Sequence, residues 1–128
     1  MQGARAPKGL WAIVLAAGGS RRLGRPKQLV RWRNDTLVAQ SVRNAQALCG
    51  ERVCVVLGAH RKEVAAALAD TAPGFVANAH WQEGIASSIR SGVAALPPDC
   101  AAVLLLTCDQ PRVRSDGGRS FAVVAACN

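Results

Sequence analysis

Tyrosine is absent, and the aromatic residues amount to three Trp and two Phe in 128 residues. So few disfavour a basic groove lined with stacking rings, the usual device for holding single-stranded nucleic acid. Acidic residues are also scarce: eight Asp and Glu stand against sixteen Lys and Arg, a net charge of +8. Long apolar runs are missing. Trp11–Ala17 and Ala101–Thr107 are strand-sized, far short of the ~20 residues a membrane helix needs. Residues Met1 to Gly9 are basic and hold Pro and Gly but no apolar stretch, so they read as a flexible lead-in and not as a secretory signal. The five cysteines show no C-x-x-C spacing and no Cys/His grouping of the zinc type. Unpaired thiols in odd number suit a reducing cytoplasm, and neither nucleic acid nor membrane is expected as a partner. Cys49 and Cys54 read as small apolar fillers, His60 as a loop residue and His80 as a structural polar group.

What is present is apolar in half its residues, enough for one domain with a core. Strand-like and helical runs alternate. Trp11–Ala16, Glu51–Leu57, a segment near Phe75–Ala77 and Ala101–Thr107 read as strands. Thr36–Leu48, with Thr36 as N-cap and Gly50 as terminator, Arg61–Leu68 and Gly84–Leu96 read as helices. Continuous apolar strands alternating with amphipathic helices predict a three-layer, Rossmann-like α/β fold: a mostly parallel sheet with helices on both faces. Ligands of such sheets sit beyond the carboxyl ends of the strands.

The first strand runs into Leu15-Ala16-Ala17-Gly18-Gly19-Ser20-Arg21-Arg22-Leu23-Gly24-Arg25-Pro26-Lys27. Small residues let backbone approach a ligand, and successive N–H groups in such a loop form an anion-binding nest. The surrounding arginines and Lys27 suit a phosphate chain. Arg21, Arg22, Arg25, Arg31 and Arg33 gather here, and the alternatives are a solvated basic face or steering of a polyanionic substrate. The loop is neither a Walker A sequence nor G-x-G-x-x-G. A second segment, Leu104-Leu105-Leu106-Thr107-Cys108-Asp109-Gln110-Pro111, puts a carboxylate just past a buried strand, either as a turn former or as a group facing a cation. A third, Asn78-Ala79-His80-Trp81-Gln82-Glu83-Gly84-Ile85-Ala86-Ser87-Ser88-Ile89-Arg90-Ser91-Gly92-Val93, brings hydroxyls into the first turns of a helix. There they serve as caps, as solvated groups or as ligand contacts. Trp81 reads as a packing residue.

Together, L-A-A-G-x-S-x-R-[LM]-G-x-x-K, N-x-x-W-x-x-G-x-x-x-S-[IL]-x-x-G and D-Q-P resemble the signature segments of the MobA-like nucleotidyltransferases, and above all of their cytidylyltransferase branch. The resemblance spans residues 11 to 111. It implies transfer of CMP from CTP to the phosphate of the molybdopterin cofactor, with release of pyrophosphate. Leu15, Ala16, Ala17, Gly18, Gly19 and Ser20 would meet the nucleotide through the loop, Arg22 and Lys27 would bind its phosphates, and Asn78, Gly84 and Ser88 would lie at base and ribose. Asp109 would hold Mg²⁺, an ion that takes one or two carboxylates and completes its shell with water and phosphate oxygens. Arg22, Lys27 and Asp109 are thus the expected catalytic set. Ala17, where guanylyltransferases carry Gly, implies CTP over GTP by narrowing the room beside the base. CTP and a phosphorylated pterin are the implied substrates, and a molybdoenzyme apoprotein or its chaperone an implied partner.

After Pro111 the pattern is lost. The expected organisation is a lead-in at 1–9, the N-terminal part of a nucleotidyltransferase domain at 10–111 and a divergent tail at 112–128, as in a truncated or frame-shifted product. Phe121–Cys127 could be a strand or a short helix. Asp116, in a loop of Gly, Ser and Arg, does not replace the family's second metal carboxylate. Other readings are the same fold with GTP or another phosphorylated acceptor, a non-catalytic nucleotide-binding remnant, and a basic nucleic-acid-binding module, which the few aromatics disfavour.

Overall fold

The computed structural model describes residues 9–18, 29, 31–32, 35–71, 73–107 and 121–125. In chain order these form β1 (Leu10–Ala16), β2 (Arg31–Trp32), β3 (Asp35–Thr36), α1 (Leu37–Cys49), β4 (Val53–Leu57), α2 (Arg61–Ala67), β5 (Gly74–Ala77), a 3-10 turn (Trp81–Glu83), α3 (Ile85–Ala94), β6 (Ala102–Thr107) and β7 (Phe121–Ala125). The main sheet has the order β5-β4-β1-β6-β7. β1, β4, β5 and β6 run parallel, and β7 pairs antiparallel with β6. This is the mostly parallel sheet the alternation predicts, and the final apolar run resolves as a strand.

The period-2 alternation of β1 sorts the layers. Ala12, Val14 and Ala16 point to one face, where they pack with Val38, Val42, Ala45 of α1 and Val64 of α2. Ile13 points to the other face with Val56 and Val103, under α3. Central strands buried on both faces are why β1 and β4 read as unbroken apolar runs. Gly92 lets α3 lie close: a Cβ there would stand 2.9 Å from Ile13 Cδ1 and 3.1 Å from Val56 Cγ2.

Helix ends follow local chemistry. Thr36 caps α1, its side-chain oxygen accepting from the Ala39 N–H at 3.1 Å. Gly50 closes it with φ of 62°, a conformation cheap only for glycine. Two expected bounds are corrected. The second strand starts at Val53 and not at Glu51, because residues 50–51 form the turn out of α1. The third helix runs over Ile85–Ala94 instead of Gly84–Leu96. Gly84 has φ of 108°, outside helical space, and Pro97 disfavours helical backbone at Leu96. The short β2–β3 ladder and the 3-10 turn had no periodic signal to announce them. Among the described residues no helix is long and apolar enough to cross a membrane.

Candidate functional site

The sheet reverses its order at β1. From β1 the chain steps outward to β4 and β5, then returns to place β6 on the other side of β1. The crevice between the carboxyl ends of β1 and β6 is therefore the topological switch point, where α/β sheets bind their ligands. Leu15 and Thr107 are register partners there. The glycine loop leaves the end of β1, and the segment to Asp109 leaves the end of β6. Ser41 of α1 closes the third side, its hydroxyl donating to the Thr107 carbonyl at 3.3 Å.

Leu15 and Ala16 still lie within the sheet ladder, paired with Val56 and Leu57 of β4. Ala17 and Gly18 are the first residues past it. Ala17 is buried, and its carbonyl accepts the Ala59 N–H at 3.1 Å. Its methyl belongs to the cluster beneath α3, so in this structure it acts as a packing group. Gly19, Ser20, Arg22, Lys27 and Asp109 lie outside the described residues, as do the lead-in at 1–8 and most of the basic cluster. Of that cluster Arg31 is described, and it is exposed.

The serine block folds into one buried polar unit. Asn78, Ser87 and Ser88 are only 3%, 4% and 4% exposed, which corrects the solvated reading of the two hydroxyls. The Asn78 amide donates to Ser87 Oγ at 2.8 Å and to Ser88 Oγ at 3.0 Å. Its oxygen accepts the His80 N–H at 2.9 Å. Ser87 Oγ offers its own hydrogen to the carbonyls of His80 at 2.9 Å and Gly84 at 3.0 Å. Buried polar atoms must be satisfied in this way, and a fully satisfied network is rigid. The network holds the first turn of α3 against the exit of β5, at the same end of the sheet as Ala17 and Gly18. Gly84 has open space around it, so its positive φ and not crowding calls for glycine. His80 and Glu83 pair at 3.3 Å on the outside, with Arg90 3.8 Å from the same carboxylate. Trp81 packs against the cluster beneath α3, as expected of a packing residue.

Cys49, Cys54 and Cys100 are buried, and Cys49 and Cys54 are free thiols. Burial pushes the Cys49 and Cys54 thiols above their ordinary value of 9.0, with Arg52 opposing the shift at Cys49. Both behave as fillers and not as nucleophiles. Among the described residues no group of three or more His, Cys, Asp or Glu could cage a metal. Gly58, which the sequence offers only as the residue closing β4, meets both halves of the site: a Cβ there would lie 2.6 Å from the Ala17 oxygen and 2.7 Å from Trp81 Cβ.

A doubly wound α/β sheet with a glycine loop at its switch point defines the class. The chain belongs to the MobA-like NTP transferase domain family, whose pattern it matches over residues 12–125. That match reaches beyond Pro111, where the recognisable motifs end, and takes in β7. The chain is 37% identical over 84 residues, 65% of its length and 41% of the relative's, to nicotine blue oxidoreductase of Paenarthrobacter nicotinovorans. It is 28% identical over 85 residues, 66% of its length and 44% of the relative's, to molybdenum cofactor cytidylyltransferase of Escherichia coli K12. The chain thus spans under half the length of these curated relatives. Among solved structures, it superposes on Rv0371c of Mycobacterium tuberculosis H37Rv with TM-score 0.67 and 34% identity, covering 81% of this chain and 53% of that one. The same protein's manganese complex superposes with TM-score 0.61 and 29% identity, over 82% and 53% of the two chains.

Proposed function

We propose that the chain carries the nucleotide-binding part of a nucleotidyltransferase that moves CMP from CTP to the phosphate of the molybdopterin cofactor. The observation that supports this best is the convergence at the switch point. The end of β1, the end of β6 and the first turn of α3 meet at one edge of the sheet. In the proposed reaction the pterin's terminal phosphate oxygen bonds to the α-phosphorus of CTP, the α–β phosphoanhydride bond breaks in line, and pyrophosphate departs. No covalent enzyme intermediate is required, so the residues act by positioning and by neutralising charge. Backbone from Ala17 to Ser20 would cradle the phosphates, and Arg22 and Lys27 would offset the charge that grows on the leaving group. Asn78, Gly84 and Ser88 would shape the wall for base and ribose; Ser88, being buried, would act by holding the α3 backbone in place.

Asp109 lies two residues past the end of β6, where one carboxylate beside substrate phosphates is the donor set that Mg²⁺ accepts. When bound, that ion would supply charge neutralisation at the phosphates. The proposal places the N-terminal part of the nucleotidyltransferase domain at residues 10–111, with 112–128 as a divergent tail whose residues 121–125 still join the sheet as β7, and sites the protein in the cytoplasm with a molybdoenzyme apoprotein or its chaperone downstream.

The 37% identity to nicotine blue oxidoreductase, over 41% of that protein, favours a second reading, in which the same cleft belongs to an oxidoreductase. One set of measurements tests the nucleotidyl-transfer reading. CTP, GTP and a single-stranded oligonucleotide are titrated with and without Mg²⁺, and pyrophosphate release is then assayed with the pterin substrate. CTP-selective binding with pyrophosphate release supports transfer. CTP binding without turnover would mean a nucleotide-binding remnant, GTP preference the guanylyl alternative, and binding of neither nucleotide would remove the reading.

A further inference from the structure

Resting on the nucleotide-binding reading above, we infer that Gly58 is a positioning residue that sets the span between the glycine loop and the first turn of α3. Gly58 follows β4 and sits between two segments of the site. Added at this position, a Cβ would fall 2.6 Å from the Ala17 oxygen, 2.8 Å from Ala17 Cβ and 2.7 Å from Trp81 Cβ. None of these is the far end of a flexible side chain; each is backbone or the root of a side chain. The neighbouring bonds are made to both sides. The Ala59 N–H donates to the Ala17 oxygen at 3.1 Å, and the Asn78 N–H donates to the Leu57 oxygen at 2.7 Å. Asn78 in turn holds Ser87 and Ser88. Contact therefore runs unbroken from Ala17 through Gly58 to Trp81 and Asn78, and on to α3.

The two sides of this junction differ in stiffness. Ala17 continues the central strand β1, which is paired on both edges. Trp81 stands in a single 3-10 turn at the sheet's rim, with exposed residues on either side. A methyl group at position 58 would push the Trp81 turn outward and leave Ala17, from which the glycine loop departs, in place. A ligand that touches both segments would then lose fit, while one that touches only the loop would not.

The test measures Mg²⁺-CTP and inorganic tripolyphosphate binding by calorimetry with the full chain and its Gly58→Ala variant, below the Tm of both. Gly9→Ala, which crowds Ala101 at the opposite end of the sheet, serves as the packing control. Gly58→Ala should weaken CTP binding by about tenfold or more, the scale of loss from a sub-ångström to ångström misplacement, with tripolyphosphate affected less than about twofold. Gly9→Ala should leave the ratio of the two affinities unchanged. Equal losses for both ligands, or none for CTP, would overturn the inference. Should Gly58→Ala fail to fold, amide exchange of the wild type decides: CTP should slow exchange at Ala59 and Asn78 and tripolyphosphate should not, and equal slowing by both would overturn it. A wild type that binds tripolyphosphate but not CTP overturns the nucleotide reading and this inference with it, an outcome distinct from failure of the Gly58→Ala contrast alone.

Discussion

Leu15 at the end of β1 stands in register opposite Thr107 at the end of β6, across the line where the sheet reverses its order. This pairing brings two segments more than 80 positions apart in sequence to the mouth of one crevice. The segments that follow, the glycine loop and the stretch to Asp109, have the residue types for phosphate and for a divalent cation.

If that crevice holds a nucleotide triphosphate, single charges should matter greatly. Lys27→Ala and Asp109→Ala are each expected to lower CTP-dependent pyrophosphate release by about 10²-fold or more, the scale for losing one charge-assisted transition-state contact. Circular dichroism and Tm should match the wild type. Wild-type rates in either variant would defeat the assignment of these two residues.

The Ala17 methyl is buried beneath α3, so if position 17 selects the base it does so through packing. Ala17→Gly should open a small void and relax the selection, shifting the ratio of CTP to GTP affinity towards GTP. Competition titration reads this ratio directly. An unchanged ratio would mean that position 17 does not choose the base.

Asn78 is the hub of a buried network, so its loss leaves polar groups unpaired. Asn78→Ala removes the partner of the His80 N–H and of two serine hydroxyls. Each unsatisfied buried group costs about 1–3 kcal/mol. Urea denaturation should show destabilisation in that range or above, larger than for Ser88→Ala, which removes a single acceptor. A neutral Asn78→Ala would show that the network relaxes without loss.

Burial raises the Cys54 thiol above its ordinary value of 9.0. The folded protein thus holds its proton more tightly than the unfolded chain. The stability this contributes is fully present below pH 9.0 and is lost as pH rises through the raised value. Thiol labelling at neutral pH should therefore spare Cys49 and Cys54 in the native state and modify both in denaturant. Rapid native labelling at either position would contradict their role as fillers.

Much of this protein was legible along the chain because the signals are local. The unbroken apolar runs of β1 and β6 marked strands covered on both faces, Thr36 and Gly50 marked the ends of α1, and three ordered motifs identified the family. Elements without periodicity were not legible: the 3-10 turn at Trp81 rests on packing against the cluster beneath α3, and β2–β3 is too short to alternate. The placement of Ser87 and Ser88 was also hidden, since hydroxyls in a first helical turn look alike whether solvated or buried.

The sequence alone determined the strand-and-helix alternation, the basic glycine loop and the carboxylate past the fourth apolar strand, because propensity, capping and charge act over a few residues. Tertiary structure alone decided that β1 and β6 are neighbours, that Asn78 closes on two serines and that Gly58 wedges between Ala17 and Trp81. Those relations join positions far apart in the chain, and only the packing of helices on both faces of one twisted sheet brings them within hydrogen-bond reach.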